Sequence, residues 1–283
     1  MGALVVALLA CGCAPIGLVN LLVPSSGFDL TEGIAYGAEP RQKLDVYRPV
    51  GVDSAAPVVV FFYGGRWRTG EREHFRFAAE ALTSLGAVVV IPDYRLAPDV
   101  VFPAFVEDGA RAVAWAHRNA PSYGGDPRRI YLMGHSAGAQ IAALLALDRR
   151  YLDPLSVPDS AIAGMIGIAG PYDFLPFTDA DVRQSMGPPE RWPETQPVNF
   201  AREGAPPLLL LQGADDETVK PRNATSLAAA ERAAGGCVRT VLYPHVGHIA
   251  ILAALWTPLR MIAPVRRDVG RFIGEEGEPR GCR

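Results

Sequence analysis

The stretch that most constrains how this chain can fold is Gly134-His135-Ser136-Ala137-Gly138. It sits between the apolar run Arg129-Ile130-Tyr131-Leu132-Met133 and an Ala/Leu-rich run over residues 139–147. The first run reads as a buried strand and the second as a helix. Passing from strand to helix in so few residues needs glycines, which tolerate a sharp turn and a close approach of main chain. In that setting a G-x-S-x-G motif lifts the serine hydroxyl above the sheet at the start of a helix, where free N–H groups and the helix dipole favour negative charge. The plain alternative is a glycine-bounded turn with an incidental serine, and the flanking strand and helix weigh against it.

The rest of the chain repeats this unit. Residues 44–47 alternate like a half-exposed strand, and residues 57–63, 87–91, 163–169, 208–212 and 238–243 are short apolar runs fit for buried strands. Between and after them, residues 75–85, 105–119, 222–234 and 265–273 carry helical spacing. A βαβ series of this kind predicts an α/β fold with a mostly parallel central sheet and helices on both faces, the first strands being candidates for antiparallel pairing. With 283 residues, nearly half of them apolar, one domain over residues 24–283 suffices to bury a large core. One stretch breaks the rhythm. Residues 170–207 are proline-rich and carry Tyr172, Phe174, Phe177 and Trp192 without a period, so a cap insertion near 171–206 and a plain surface excursion are both expected readings.

Composition excludes more than it assigns. A net charge of −3 leaves no basic footprint for nucleic acid. The five histidines and four cysteines form no H-x-x-x-H, H-E-x-x-H or paired C-x-x-C set, so no metal site is suggested.

A serine hydroxyl is a weak nucleophile until a histidine takes its proton, and that histidine needs a carboxylate to hold its tautomer. After Ser136, only His245 and His248 lie beyond the last predicted strand. His248, in a loop and next to Gly247, is the better placed base, with His245 the alternative. Gln212-Gly213-Ala214-Asp215-Asp216-Glu217-Thr218-Val219 ends a strand and offers three carboxylates, of which local turn bonding can explain at least two. Asp216 is the preferred acid, Asp215 the second and Asp173 a more distant candidate, while Asp93 and Asp108 read as structural. An oxyanion needs two converging main-chain N–H groups. Ala137 would supply one and the glycine-containing loop after residues 58–62 the other, with Gly65 and Arg66 its candidate donors. Trp67, Tyr172 and Phe174 are the candidate pocket residues.

Taken together, Tyr63-Gly64-Gly65-Arg66-Trp67, Pro92-Asp93-Tyr94-Arg95-Leu96-Ala97-Pro98, Tyr123-Gly124-Gly125-Asp126-Pro127, Gly134-His135-Ser136-Ala137-Gly138, residues 213–219 and Gly247-His248 resemble the α/β-hydrolase esterases. That group includes hormone-sensitive-lipase-like enzymes, BD-FAE esterases, kynurenine formamidases and prenylcysteine methylesterases. The likeness spans roughly residues 40–275. It implies the α/β-hydrolase fold, a Ser136, Asp216, His248 triad, and cofactor-free hydrolysis of a small-molecule ester through an acyl-enzyme. A formamidase, a prenylcysteine methylesterase and a non-catalytic anchored binding protein are the alternatives. One departure stands out: Tyr63 replaces the family's histidine at the head of the oxyanion motif. The charged Arg66 beside the site suits either a carboxylate-bearing substrate or plain solvation.

Residues 1–23 hold no charged side chain, and the first Lys or Arg is Arg41. The run resembles a bacterial lipoprotein signal in which Cys13, preceded by small Gly12, or else Cys11, becomes the lipidated N-terminus. The expectation is an exported protein anchored to a membrane at the periplasmic or extracellular face. A spanning helix, a mis-assigned start and a cytoplasmic location are the competing readings. In an oxidising compartment Cys237 and Cys282 would be free to pair, and two unpaired thiols fit equally well.

Overall fold

The computed structural model describes residues 20, 22–52 and 55–274. Cys11, Cys13, Cys282 and almost all of the 1–23 segment lie outside the described residues, while Cys237 is disulfide-bonded. Among the described residues no helix is long and apolar enough to cross a membrane.

Among the described residues eight strands form one sheet: β1 (Phe28–Ala35), β2 (Lys43–Pro49), β3 (Ala56–Phe62), β4 (Val88–Pro92), β5 (Gly125–His135), β6 (Ile162–Ile168), β7 (Leu208–Gly213) and β8 (Val238–Tyr243). Their spatial order is β1-β2-β4-β3-β5-β6-β7-β8. The β1–β2 and β2–β4 pairs are antiparallel and every other pair is parallel. The central strands are covered on both faces, so Val58 to Phe62 of β3 and Leu208 to Gly213 of β7 are buried at every position and read as continuous apolar runs rather than alternating ones.

Among the described residues seven α-helices follow in chain order: α1 (Arg76–Thr83), α2 (Ala104–Asn119), α3 (Ala137–Leu147), α4 (Ala180–Met186), α5 (Arg222–Ala233), α6 (His248–Ala253) and α7 (Val265–Gly274). Helix α1 packs on α7, and α2 on α3. Helix α3 is buried along its whole length, which is why its sequence is apolar all round rather than amphipathic.

The structure adds β1, α4 and α6 to the expected elements. His248, expected in a loop, is the first residue of α6. The irregular stretch after β6 contains α4 and two 3₁₀ segments, Pro189–Thr195 and Pro197–Phe200. The chain crosses from β4 to β5 over β3, so the sheet order reverses between β3 and β5. In open α/β sheets the crevice at the carboxyl ends of strands at such a point is where ligands bind.

Candidate active site

Four loops converge at the carboxyl ends of the parallel strands. The first is the turn from β5 into α3. Ser136 has φ 54° and ψ −123°, a region costly for a residue with a side chain and held only where the surroundings enforce it. The strain falls on the serine itself, whereas the two glycines supply space. A Cβ on Gly134 would lie 2.2 Å from the Gly138 carbonyl oxygen, and one on Gly138 would lie 2.1 Å from that of Phe62. Ala137 opens α3, so its N–H has no partner within the helix.

The second loop follows β3. Gly65, Arg66 and Trp67 all have positive φ, at 134°, 58° and 60°, which folds the loop tightly against the serine turn. At Gly65 a Cβ would meet the Thr69 carbonyl at 2.0 Å. Tyr63 is buried between Phe75 and Tyr94, with ring centroids at 5.1 and 4.8 Å. Its O–H donates to Asp93 at 2.7 Å, Arg41 donates to its oxygen at 3.0 Å, and the Tyr94 O–H donates to the Tyr63 carbonyl at 2.8 Å. Asp93 is held in turn by Arg72, which also binds Asp45. A stacked and charge-anchored tyrosine thereby fixes the base of the loop. Asp108 is likewise buried in a network, with Arg95, Arg111 and Gln42.

The third and fourth loops bring the remaining groups. His248 Nε2 lies 2.9 Å from Ser136 Oγ, and His248 Nδ1 lies 2.8 Å from Asp216 Oδ2. With Nδ1 protonated toward the carboxylate, Nε2 accepts from the serine hydroxyl. Asp216 is also bonded by the N–H groups of Thr218 and Val219 and by Gln212 Nε2. Burial alone would raise its carboxyl, but His248 and the two main-chain donors outweigh burial and hold it below the ordinary carboxylate range. The alternatives lie elsewhere. His245 and Asp215 are exposed and pair loosely with each other at 3.7 Å, and Asp173 presents its N–H to Asn223.

The cavity beside Ser136 measures about 120 Å³ and is lined by Arg66, Trp67, Ala137, Phe174, Val182 and Asn223 among others. Trp67 and Phe174, two of the three candidate pocket residues, are on its wall. Tyr172 is not: it is fully buried, its ring and hydroxyl packed against Gly167 and Gly170, and it does not line the cavity. A tyrosine can fill the space opposite two glycines more completely than it could fill a pocket already walled by Trp67 and Phe174. Arg66 is half-exposed, and its guanidinium binds Asp179 at 2.6 Å. A larger groove of about 330 Å³ lies just beyond the carboxyl end of α3, between Arg111, Arg150 and Arg191, and includes none of the Ser136, His248 and Asp216 group.

Three contributors carried little sequence signal. His135 is fully buried, its Nε2–H donating to the His248 carbonyl at 3.1 Å. Burial, helped by the neighbouring His248, lowers its pKa to about 3, so it stays a neutral donor. Asn223 of α5 accepts from the N–H groups of Tyr172 and Asp173 and so shapes the loop after β6. Gln140 is buried in α3 between Trp67 and the carbonyl of Thr195. As the sole hydrogen-bonding side chain in AGAQIAALLAL, Gln140 is the one of the three with a legible signal. Among the described residues no cluster of His, Cys, Asp or Glu is arranged to hold a metal ion.

Comparison with known proteins agrees with this architecture. The chain is 30% identical over 248 residues to the isoprenylcysteine alpha-carbonyl methylesterase ICME of Arabidopsis thaliana, covering 80% of this chain and 58% of the relative. It is 32% identical over 268 residues to the esterase LipQ of Mycobacterium tuberculosis, covering 86% of this chain and 62% of the relative. The chain thus spans only about three fifths of the length of these curated relatives. A truncated form of a carbohydrate esterase from gut microbiota superposes with a TM-score of 0.76 at 19% identity, covering 88% of this chain and 97% of the other, which establishes the α/β-hydrolase fold. The BD-FAE family model matches residues 44–230, a span that takes in the loop after β3, the serine turn and Asp216, and the chain belongs to the BD-FAE family.

Proposed function

We propose that the protein is a serine carboxylesterase, with Ser136 as nucleophile, His248 as general base and acid, and Asp216 as the orienting carboxylate. The observation that carries this reading is the continuous hydrogen-bonded line from Ser136 Oγ through both ring nitrogens of His248 to Asp216, at 2.9 and 2.8 Å. The curated relatives, a methylesterase and an esterase by name, support the same class.

In the first half-reaction Ser136 Oγ attacks the ester carbonyl carbon as Nε2 of His248 takes the hydroxyl proton. The negative charge reaches the carbonyl oxygen, where the N–H of Ala137 and the N–H groups of Gly65 and Arg66 are the proposed donors. The carbon–oxygen bond to the alcohol then breaks, and the alcohol leaves with the proton from Nε2. Water repeats the sequence on the acyl-enzyme, releasing the acid and restoring Ser136. Asp216, ionised at neutral pH, keeps Nδ1 protonated and stabilises the transient imidazolium.

The test is labelling with a fluorophosphonate probe followed by peptide mapping, alongside hydrolysis of p-nitrophenyl acetate. The adduct is expected on Ser136, and Ser136→Ala is expected to abolish both labelling and turnover. An adduct elsewhere, or turnover retained by Ser136→Ala, would overturn the reading. A folded protein that neither reacts nor hydrolyses would favour a binding role for the fold.

A further inference from the structure

Ser136 and His248 come from strands that do not pair. Ser136 follows β5 and His248 follows β8, with β6 and β7 between them, and the hydrogen bond that joins the two side chains is the one the reaction consumes. Once Oγ carries the acyl group it has no hydrogen to offer Nε2. The base must still be in place, because the second half-reaction activates water from the same nitrogen. Resting on the serine esterase reading above, we propose that His135 is a positioning residue for deacylation: its ring N–H holds the main chain of His248 to the serine turn while Ser136 is acylated.

The tie starts from the rigid part of the molecule. His135 is the last residue of β5 and pairs with Ile168 of β6, and the Ser136 N–H donates to the Ile168 carbonyl at 2.9 Å. The His135 ring is buried, with Nε2 3.1 Å from the His248 carbonyl oxygen. A carbonyl acceptor requires the hydrogen on Nε2, which leaves Nδ1 as the bare nitrogen. A Cβ on Gly64 would come within 3.0 Å of Nδ1, so a side chain at residue 64 would crowd this ring. The rings of His135 and His248 are 4.8 Å apart between centroids, at 41°. His248 becomes an imidazolium in each half-reaction, and a second charge at that distance would oppose it. Buried His135, its pKa lowered to about 3, is a neutral neighbour.

The other end of the tie is weakly held. Helix α6 opens at His248, has six residues and no side-chain N-cap, and buries only Ile251 and Leu252, and a helix of that length has little stability of its own. In the free enzyme the His248 ring has Ser136 Oγ at 2.9 Å and Asp216 at 2.8 Å as partners. In the acyl-enzyme the serine bond is gone, and the bond from His135 is a link to the serine turn that the acyl group leaves untouched. From that position Nε2 takes a proton from water as the water oxygen bonds to the acyl carbon, and returns it to Oγ as the bond between Oγ and that carbon breaks.

The two half-reactions are measured separately on the full chain. Acylation is read as the p-nitrophenol burst with p-nitrophenyl acetate, and deacylation as the decay of the acetyl-enzyme followed by intact mass, for the parent, His135→Phe, His135→Met and His135→Gln. Phenylalanine keeps a ring without the donor, while methionine and glutamine are alike in length and only glutamine can donate to the carbonyl. His135→Phe and His135→Met are expected to slow deacylation about tenfold or more, the scale on which misplacement of a catalytic group is felt. Acylation and fluorophosphonate labelling of Ser136 are expected to stay within about threefold, so that kcat and KM fall together and kcat/KM changes little. His135→Gln should recover most of the deacylation rate. Equal losses in the two half-reactions, a glutamine variant as slow as the methionine variant, or unchanged deacylation without the donor would overturn the inference and leave the esterase reading intact. If one donor-free variant does not fold, the other decides against His135→Gln. A parent that neither labels at Ser136 nor forms an acetyl-enzyme would remove that reading and the inference with it.

Discussion

Asp215 and Asp216 are adjacent in sequence and opposite in environment. The Asp215 side chain faces water next to His245, and an exposed pair of that kind is worth little. Asp216 is buried and accepts from His248, Thr218 and Val219. Because those donors hold its pKa below the ordinary carboxylate value, its contribution to stability is present at neutral pH and is lost only as the pH falls through its lowered pKa in strong acid. Asp216→Asn keeps the shape but turns an acceptor into an amide that favours the wrong imidazole tautomer, a change that costs about 10⁴ in kcat in the chymotrypsin-type triad. A loss of that order is expected here, measured on p-nitrophenyl acetate, whereas Asp215→Asn should stay within about twofold of the parent, as for surface substitutions away from a site. Equal losses in the two variants would remove Asp216 from its proposed role.

Between elements, polar contacts join the loop after β3 to α4. Arg66 binds Asp179, and Arg68 reaches both Asp181 and Gln184. Asp179 is also the N-cap of α4, its Oδ1 accepting from the N–H groups of Asp181 and Val182, and Val182 lines the cavity. The two roles separate by substitution: Asp179→Asn keeps the capping acceptor and loses the charge, while Asp179→Ala loses both. Exposed ion pairs are screened by salt and contribute less than a cap does to a helix this short. Asp179→Ala is therefore expected to raise KM for p-nitrophenyl butyrate, and Asp179→Asn to raise it less, with little further effect of added salt. If the asparagine variant is as impaired as the alanine variant, the ion pair is the dominant tie.

The same elements show what the sequence could tell. The strands of the parallel region are legible because they are buried on both faces, and the serine turn because its glycines have no substitute. Strand β1 is only partly buried, with Asp29, Glu32 and Gly33 among its residues, so it lacks both the alternation and the apolar run that mark a strand. Helices α4 and α6 have seven and six residues, too few for a 3.6-residue period to show. Of the groups around the cavity, Trp67 and Phe174 stand out as aromatics in irregular segments. Tyr172 shares that signal and points the other way: two residues before Phe174, it would share that residue's side on an extended segment, but the chain bends at Tyr172 and Asp173. Asn223 gives no sign at all, since a polar residue in the first turn of a helix is ordinary and its use depends on a loop some fifty residues earlier.

At the scale of the whole molecule, stability should carry a pH dependence that originates far from the serine. Glu231 of α5 is completely buried, and neither carboxylate oxygen has a hydrogen-bond partner of normal geometry. Gly236 leaves it room: a Cβ there would come within 2.1 Å of Glu231 Oε2. Burial raises the carboxyl from an ordinary 4.5 to about 7, with a smaller opposing pull from the main chain and guanidinium of Arg202. The folded state therefore holds a proton that the unfolded chain gives up above about pH 4.5. Its contribution is fully present below that value and is lost as the pH rises through about 7. Glu231→Gln, neutral at every pH, should abolish this term. The difference in Tm between Glu231→Gln and the parent is expected to be small at pH 5 and to grow in favour of the variant up to pH 8.5. A difference that stays constant across that range would show that Glu231 titrates normally, and a variant that loses ground at high pH would show that its carboxylate is paired in the folded chain.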